Sequence, residues 1–494
     1  MDRRRFLDAG LGAGLLALTG GARADQATYR RFHAALAHDP SLAVYAGVAG
    51  SQAGAARLSG RLPADLQGSF YRNGPGRFEL GGERHHHWFD GDGYAQCWRI
   101  RDGKVHHHGR FVETRRFLDE SDAGRFLYPS FGTHVARRGF RDNDTLNAAN
   151  TNLLPFDGRL YALWEGGSAT ELDPDTLATM GAKTWREDLR AMPFSAHPKL
   201  DPQGGMWNFG ALPGSGRIAV YQIGAGGQVL RTGVVEAPQQ AMVHDFAVSA
   251  KHLVFLLPPY DLRPGASLSF AERHKWAGDG PAARPLRVVV VAKDTLAVRQ
   301  VFELSPAMVF HFGNAWEDGA CTRFDAVLHQ GDAIGELGGL MAGERPAGPH
   351  GRSEAVQICL DYASGQARVS RLFGASEFPR VAPQVVGSRH RRLVLLGNED
   401  EAVLSSVNLV DTDTGKVDSY RFGAGWQVEE HVLVPRRHAR SETDGYLVGV
   451  AQDLRKEVTV MTVFDAGRVS AGPLALARLP YRTPHCFHGN FLLA

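Results

Sequence analysis

Short apolar runs rich in β-branched and aromatic residues, each closed by a polar turn, recur along most of the chain. Leu286–Ala292 and Glu457–Val463 are typical, being too short and too β-branched for helices. Turns at Asp102-Gly103, Asp157-Gly158, Asp294–Leu296, Ser364-Gly365, Asp411–Gly415 and Asp465–Gly467 join such runs in the manner of hairpins. The hairpins are numerous, irregularly spaced and without a strict repeat, which predicts an all-β chain and a degenerate β-propeller. A propeller uses roughly 40–50 residues per blade plus insertions, whereas a β-sandwich is cramped for a chain this long. Helical patterning is confined to Gln26–Ala37 and Leu268–Trp276, and neither stretch predicts a second domain.

The N-terminus follows a different pattern. Arg3-Arg4-Arg5 precedes Phe6-Leu7 and a small, apolar stretch from Ala9 to Gly21, and Ala22-Arg23-Ala24 supplies an A-x-A cleavage site. This order is that of a signal peptide, and Arg-Arg-x-Phe-Leu resembles the twin-arginine type that exports folded proteins. Residues 1–24 are therefore expected to be removed, leaving 25–494 as one propeller domain in the periplasm. The apolar stretch is too short for a membrane span, and no later run approaches the necessary ~20 residues.

Composition changes this picture little. The 494 residues are 43% hydrophobic and 22% charged, with 58 glycines and 25 prolines, as expected of a turn-rich globular protein. Residues 1–24 hold four arginines and two aspartates, so the remainder is formally neutral and lacks the basic surface of a nucleic-acid partner. Cys97, Cys321, Cys359 and Cys486 include no C-x-x-C pair, which argues against thiolate metal sites and leaves their pairing open.

The chemistry lies among the 21 histidines. The triplets His85–His87 and His106–His108 draw the eye, but neighbours on a strand face opposite ways and cannot chelate one ion together. His197, His244, His311 and His488 have more telling settings, three of them flanked by apolar or aromatic residues within predicted strands. A buried histidine must be hydrogen-bonded or must bind something. Their separations match no local metal motif.

In order along the chain stand Gly68–Pro75 (GSFYRNGP), His87–Gly93 (HWFDGDG), Asn150-Thr151-Asn152, Leu163-Trp164-Glu165, His244-Asp245-Phe246, His311–Glu317, Glu377-Phe378-Pro379 and Phe487-His488-Gly489. With these marks nearly all of the chain resembles the carotenoid cleavage oxygenases, which include apocarotenoid-, carotenoid- and stilbene-cleaving enzymes. The resemblance implies a seven-bladed β-propeller with a helical and loop cap over its iron-bearing face. It implies one Fe(2+) per chain on four histidines, here His197, His244, His311 and His488, with Glu165, Glu377 and Glu430 behind three of them. Four neutral imidazoles leave the metal its full charge, and carboxylates behind them fix the ring tautomers. Thr151 is expected beside the open oxygen position and Trp164 along the substrate pocket.

Two departures stand out. Cys486 replaces the glycine usual before Phe-His-Gly, and His485 beside it competes with His488 for the ligand role. Glu429 likewise competes with Glu430. The reaction implied is cleavage of a conjugated double bond by dioxygen to two carbonyl products. The expected substrate is an apolar carotenoid or apocarotenoid, with peripheral membrane contact a further candidate. Stilbene-cleaving relatives carry a lysine where this chain has Arg116, so a lignostilbene-type substrate is the alternative, and a ligand-binding propeller without catalysis a third. No nucleophile elbow, phosphate loop or dinucleotide fingerprint is present to support a hydrolase, kinase or dehydrogenase.

Export has a direct test. In a fractionated bacterial host the periplasmic species should begin at Asp25, and replacing Arg3-Arg4 by Lys-Lys should retain the chain inside. An active enzyme with Met1 intact would refute cleavage.

Overall fold

The computed structural model describes residues 26–494 except 213, 240–241, 266–267, 345–352 and 399–402, so the expected signal peptide, residues 1–24, lies outside the described residues. These residues form seven antiparallel sheets of four or five strands, the blades of a β-propeller, and two small two-stranded ribbons. The predicted two-residue turns sit where expected: Arg101 pairs with Lys104 across Asp102-Gly103, and Phe156 with Arg159 across Asp157-Gly158.

Each blade places one strand at the propeller axis. In chain order from the second blade these are Asn152–Phe156, Lys199–Leu200, Ala247–Val248, Met308–Asp318, Ser376–Arg380 and Trp426–Pro435. The first blade takes its axial strand from the other end of the chain. His488–Leu493 pairs antiparallel with Gly68–Arg77, setting His488 opposite Asn73. The partners approach closely here: a Cβ at Gly489 would lie 2.2 Å from the Tyr71 carbonyl oxygen, so this position requires glycine. The seventh blade is completed from the N-terminal side, where Arg57–Gly60 pairs with Ala475–Arg478. Both ends of the described chain thus close the ring, and closure leaves few sheet edges to protect.

Helices and loops cover one face. Phe32 of the helix Gln26–His38 packs into an apolar cluster with Leu42, Tyr45, Trp88, Ile334 and Met341. Phe310 and Phe487, each adjacent in sequence to a histidine of interest, belong to the same cluster, so the cap sits over the histidine-bearing face. The first helix starts as its pattern predicts. The second expected helix is shorter than read. A Ser269–Glu272 capping box starts one turn at Phe270–Arg273, and His274 then turns to extended backbone. His274–Trp276 instead pairs with Tyr260–Leu262, a contact that overrides the local helical pattern.

Buried charge ties the first and seventh blades together. Arg72, on the strand Gly68–Arg77, lies 2.9 Å from Glu429 and 3.3 Å from Glu430, with all three side chains at most 2% exposed. Removing one partner of such a group leaves unpaired charge in a dry interior. Arg72→Met should therefore cost about 3–5 kcal/mol of stability, read as a lowered denaturant midpoint. An unchanged midpoint would show that Gln452, His485 and the Cys486 N–H satisfy Glu429, and Arg380 satisfies Glu430, without Arg72.

Candidate metal centre

The ligating atoms of His197, His244, His311 and His488 all lie within 4.8 Å of one another. His197 and His244 are just ahead of the axial strands of the third and fourth blades, and His488 opens the axial strand of the first. His311 lies inside the fifth blade's axial strand, where pairing with the neighbouring strand is interrupted between Val309 and Phe312. The sixth blade breaks register after Glu377, and the seventh between Val428 and His431, the stretch containing Glu429 and Glu430. Such irregularities re-aim side chains that a regular strand would alternate between faces. Glu429 and Glu430, adjacent in sequence, lie within the seventh-blade irregularity and are both buried. Phe378 holds a left-handed φ of +56° within the sixth-blade irregularity, and its ring stacks 5.2 Å from that of His311.

Nε2 of His197 is 3.0 Å from Nε2 of His244, and Nε2 of His311 is 3.2 Å from that of His488. The outward nitrogens of three rings meet carboxylates. His244 Nδ1 lies 2.9 Å from Glu165, His311 Nδ1 2.6 Å from Glu377 and His488 Nδ1 2.9 Å from Glu430. An ionised carboxylate only accepts, so each of these rings carries its proton on Nδ1 and turns a lone pair inward. The lone pairs of His311 and His488, facing at 3.2 Å, repel unless a cation lies among them, whereas the His197 tautomer is not fixed by a carboxylate. The donor set therefore fits a metal ion held by four neutral imidazoles.

For His197 and His488 the electrostatics favour the neutral ring, whereas for His244 the neighbouring carboxylates favour the proton. Burial, reinforced by the neighbouring imidazoles and Lys199, holds His197 well below the ordinary histidine range. Burial also brings His488 down to about 3, against the pull of Glu430. His244 is raised, because Glu165 outweighs the effect of burial. Burial would raise Glu377, but His311 and His329 hold it well below the carboxylate range. Glu430 is depressed likewise by Arg380 and His488 against its burial. The three carboxylates differ in compensation. Glu165 is 28% exposed and meets solvent. Glu430 receives Arg380 Nε at 2.8 Å, Arg72 at 3.3 Å and the Gly489 N–H at 2.9 Å.

The other candidates lie elsewhere. His485 is outside the four-imidazole group, stacked against Trp88 and 3.4 Å from Glu429, which in turn binds Arg72 and Gln452. The Cys486 thiol accepts from Gln96 and is also outside the group. His107 bonds to Gln96 and Tyr481, and His87 to the Ile334 carbonyl, so these members of the triplets have other partners. All four cysteines are free among the described residues. Thr151 precedes the second blade's axial strand, its hydroxyl 3.0 Å from Asn150 Oδ1. Trp164 is half-buried, packed over Gly166 immediately beside Glu165. The sequence reading passed over His329, Arg380 and Arg72, which support the carboxylates from strands distant in sequence.

Fold and site together define a seven-bladed propeller whose four axial imidazoles could hold a metal ion, with no carboxylate within the group. The family model described as RPE65, retinal pigment epithelial membrane protein, matches residues 50–493. The chain belongs to that family, the carotenoid cleavage oxygenases, and is an oxidoreductase that cleaves double bonds with dioxygen. It is 30% identical to the apocarotenoid-15,15'-oxygenase of Synechocystis over 88% of this chain and 92% of that one. Identity is 27% to the lignostilbene-alpha,beta-dioxygenase isozyme III of Sphingomonas paucimobilis, over 88% and 92%. Among solved structures, an ACO/RPE65 chimera superposes with a TM-score of 0.83 at 24% identity, covering 94% of this chain and 99% of that chain, and shows the same fold.

Loss of any one of the four histidines to alanine should abolish metal retention. Glu165→Gln, Glu377→Gln and Glu430→Gln should each weaken it by about 10–100-fold. Metal content measured in parallel should separate His488→Ala, which loses the ion, from His485→Ala, which keeps it. The reverse result would transfer the ligand role to His485.

Proposed function

We propose that this protein is an iron(II)-dependent oxygenase cleaving a conjugated double bond in a carotenoid or apocarotenoid. The observation that carries the substrate class is an aromatic wall running from the imidazoles into the cap. His244 meets Phe310 at 5.9 Å, Phe310 meets Phe89 at 6.1 Å, and Phe89 meets Phe131 at 5.2 Å and Phe487 at 5.4 Å. Phe131 continues to Phe270 at 5.3 Å. Such a surface suits an extended apolar polyene and excludes water from it.

Arg116 argues against a phenolic substrate. Its guanidinium donates to the Asp90 carbonyl at 2.7 Å and to His85 at 3.1 Å, and lies 3.7 Å from Asp92 and 3.6 Å from Glu120. A fully buried cation so engaged is not offered to a phenolate. The relative with the 30% identity is an apocarotenoid oxygenase, which supports the same reading.

Imidazole donors suit iron(II), and one ion per chain would sit on His197, His244, His311 and His488. When bound, the iron would supply the binding and activation of dioxygen. The chain's own residues do the rest. Glu165, Glu377 and Glu430 keep three rings in the Nδ1–H tautomer, and Phe310, Phe378 and Phe487 exclude water around them. Thr151 and Trp164 are assigned to the oxygen and substrate pocket from their places at the second blade's axial strand and beside Glu165. Residues 1–24 would direct the enzyme to the periplasm.

Protein purified with iron(II) should convert a member of a carotenoid and apocarotenoid panel to paired carbonyl products, with label from dioxygen in the fragments. Hydroxystilbenes should react far more slowly. Turnover of stilbenes alone would overturn the substrate class while leaving the metal centre intact.

A further inference from the structure

Glu377 is bound from two sides. Its Oε2 lies 2.6 Å from His311 Nδ1, and its Oε1 lies 2.6 Å from Nε2 of His329, at the end of the strand Cys321–His329. His329 is 2% exposed, and its other nitrogen, Nδ1, is buried with no hydrogen-bond partner among the described residues. A ring serving only the fold would be expected to satisfy both nitrogens. Here the polar attachment of the imidazole is Glu377, with Phe310 edge-on at 5.2 Å as its aromatic neighbour. Because the carboxylate only accepts, His329 must carry its proton on Nε2.

The comparison with the other two carboxylates sharpens the point. Glu430 is held by Arg380, Arg72 and the Gly489 N–H, and Glu165 reaches solvent. Glu377 is 3% exposed, and neither Arg nor Lys pairs with it among the described residues; its Oε2 accepts from the Phe378 N–H at 2.5 Å as well as from His311, while its Oε1 has His329 as hydrogen-bond partner. We propose that His329 is a positioning residue of the metal centre, fixing the Glu377 carboxylate so that its other oxygen takes the Nδ1–H of His311. The inference rests on the metal-centre reading above. It adds a histidine that does not ligate but sets the orientation of one that does.

The test uses cobalt(II) alone as probe, titrated into the metal-free chain and followed by its absorption spectrum, with thermal unfolding of each metal-free variant in parallel. His329→Leu should weaken cobalt affinity by about 10–100-fold. His329→Gln, whose amide nitrogen reaches the Nε2 position, should restore near-parental affinity and spectrum. His329→Asn, whose amide falls short of Glu377, should behave like the leucine variant and serves in its place if that variant does not fold. In a Glu377→Gln background, His329→Leu should bring no further loss, which a general packing role would not predict. Equal behaviour of the Gln and Asn variants, or a full additional loss in the Glu377→Gln background, overturns the inference. Failure of the parent chain to bind cobalt overturns the metal centre and this inference with it, whereas parental binding with an unaffected His329→Leu overturns this inference alone.

Discussion

Two pairs of imidazole nitrogens facing each other at 3.0 and 3.2 Å in a dry interior are the constraint from which the rest of the centre follows. Neutral His311 and His488, each with its proton on Nδ1, oppose lone pair to lone pair, and protonating the rings would bury like charges together. A cation among the four imidazoles makes the arrangement favourable, and a stiff frame keeps the rings inward without one. A closed propeller is such a frame. Its axial strands come from all parts of the chain, and the last, beginning at His488, seals the first blade through pairing with Gly68–Arg77. The fourth imidazole therefore reaches the centre through a contact between the first blade and the far end of the described chain.

The carboxylates link that frame to the site. Arg72 belongs to the strand that pairs with His488–Leu493, and it also neutralises Glu430, whose other oxygen engages His488. Ring closure and ligand orientation thus share one buried ion pair. Arg380 adds a second tie, reaching both Glu430 and the Gly489 carbonyl from the sixth blade. Each imidazole that meets a carboxylate is paired across blades, so a displacement of one blade would be felt at the centre rather than absorbed by a loop.

The architecture was legible because its signals are local. β-branched runs such as Leu286–Ala292 and turns such as Asp157-Gly158 need no distant information to be read. The segment around Leu268–Trp276 was misread because Ser269 and Glu272 do announce a helix, while its termination depends on pairing with Tyr260–Leu262. The histidines could be singled out as buried, but spacing could not join them into a group, and the family marks did that. What stayed invisible depends on three-dimensional neighbours. Glu429 and Glu430 are equivalent in sequence, and both are buried in a strand covered on both faces. One meets His485, Arg72 and Gln452 and the other meets His488. His329 ends a strand with no motif around it, and its partner Glu377 is 48 residues away.

The same burial that serves the metal centre narrows what can react there. The cap adds Phe89, Phe131, Trp88 and Phe487 above the imidazoles, while the nearby charges at Asp90, Asp92, Arg116 and Glu120 are turned into a network of their own. Charge is thus spent on holding the cap and the closing strand, and apolar surface is left facing the centre. A substrate held there gains from burying length and conjugation, not from a polar anchor, because each added CH₂ contributes about 0.8 kcal/mol when removed from water. Binding energy of that kind is spread along the molecule and fixes register poorly by itself. For the proposed polyene substrate, selection of one double bond would then come from where the aromatic wall stops relative to the four histidines, so the cap loops, rather than the axial strands, would set regiospecificity.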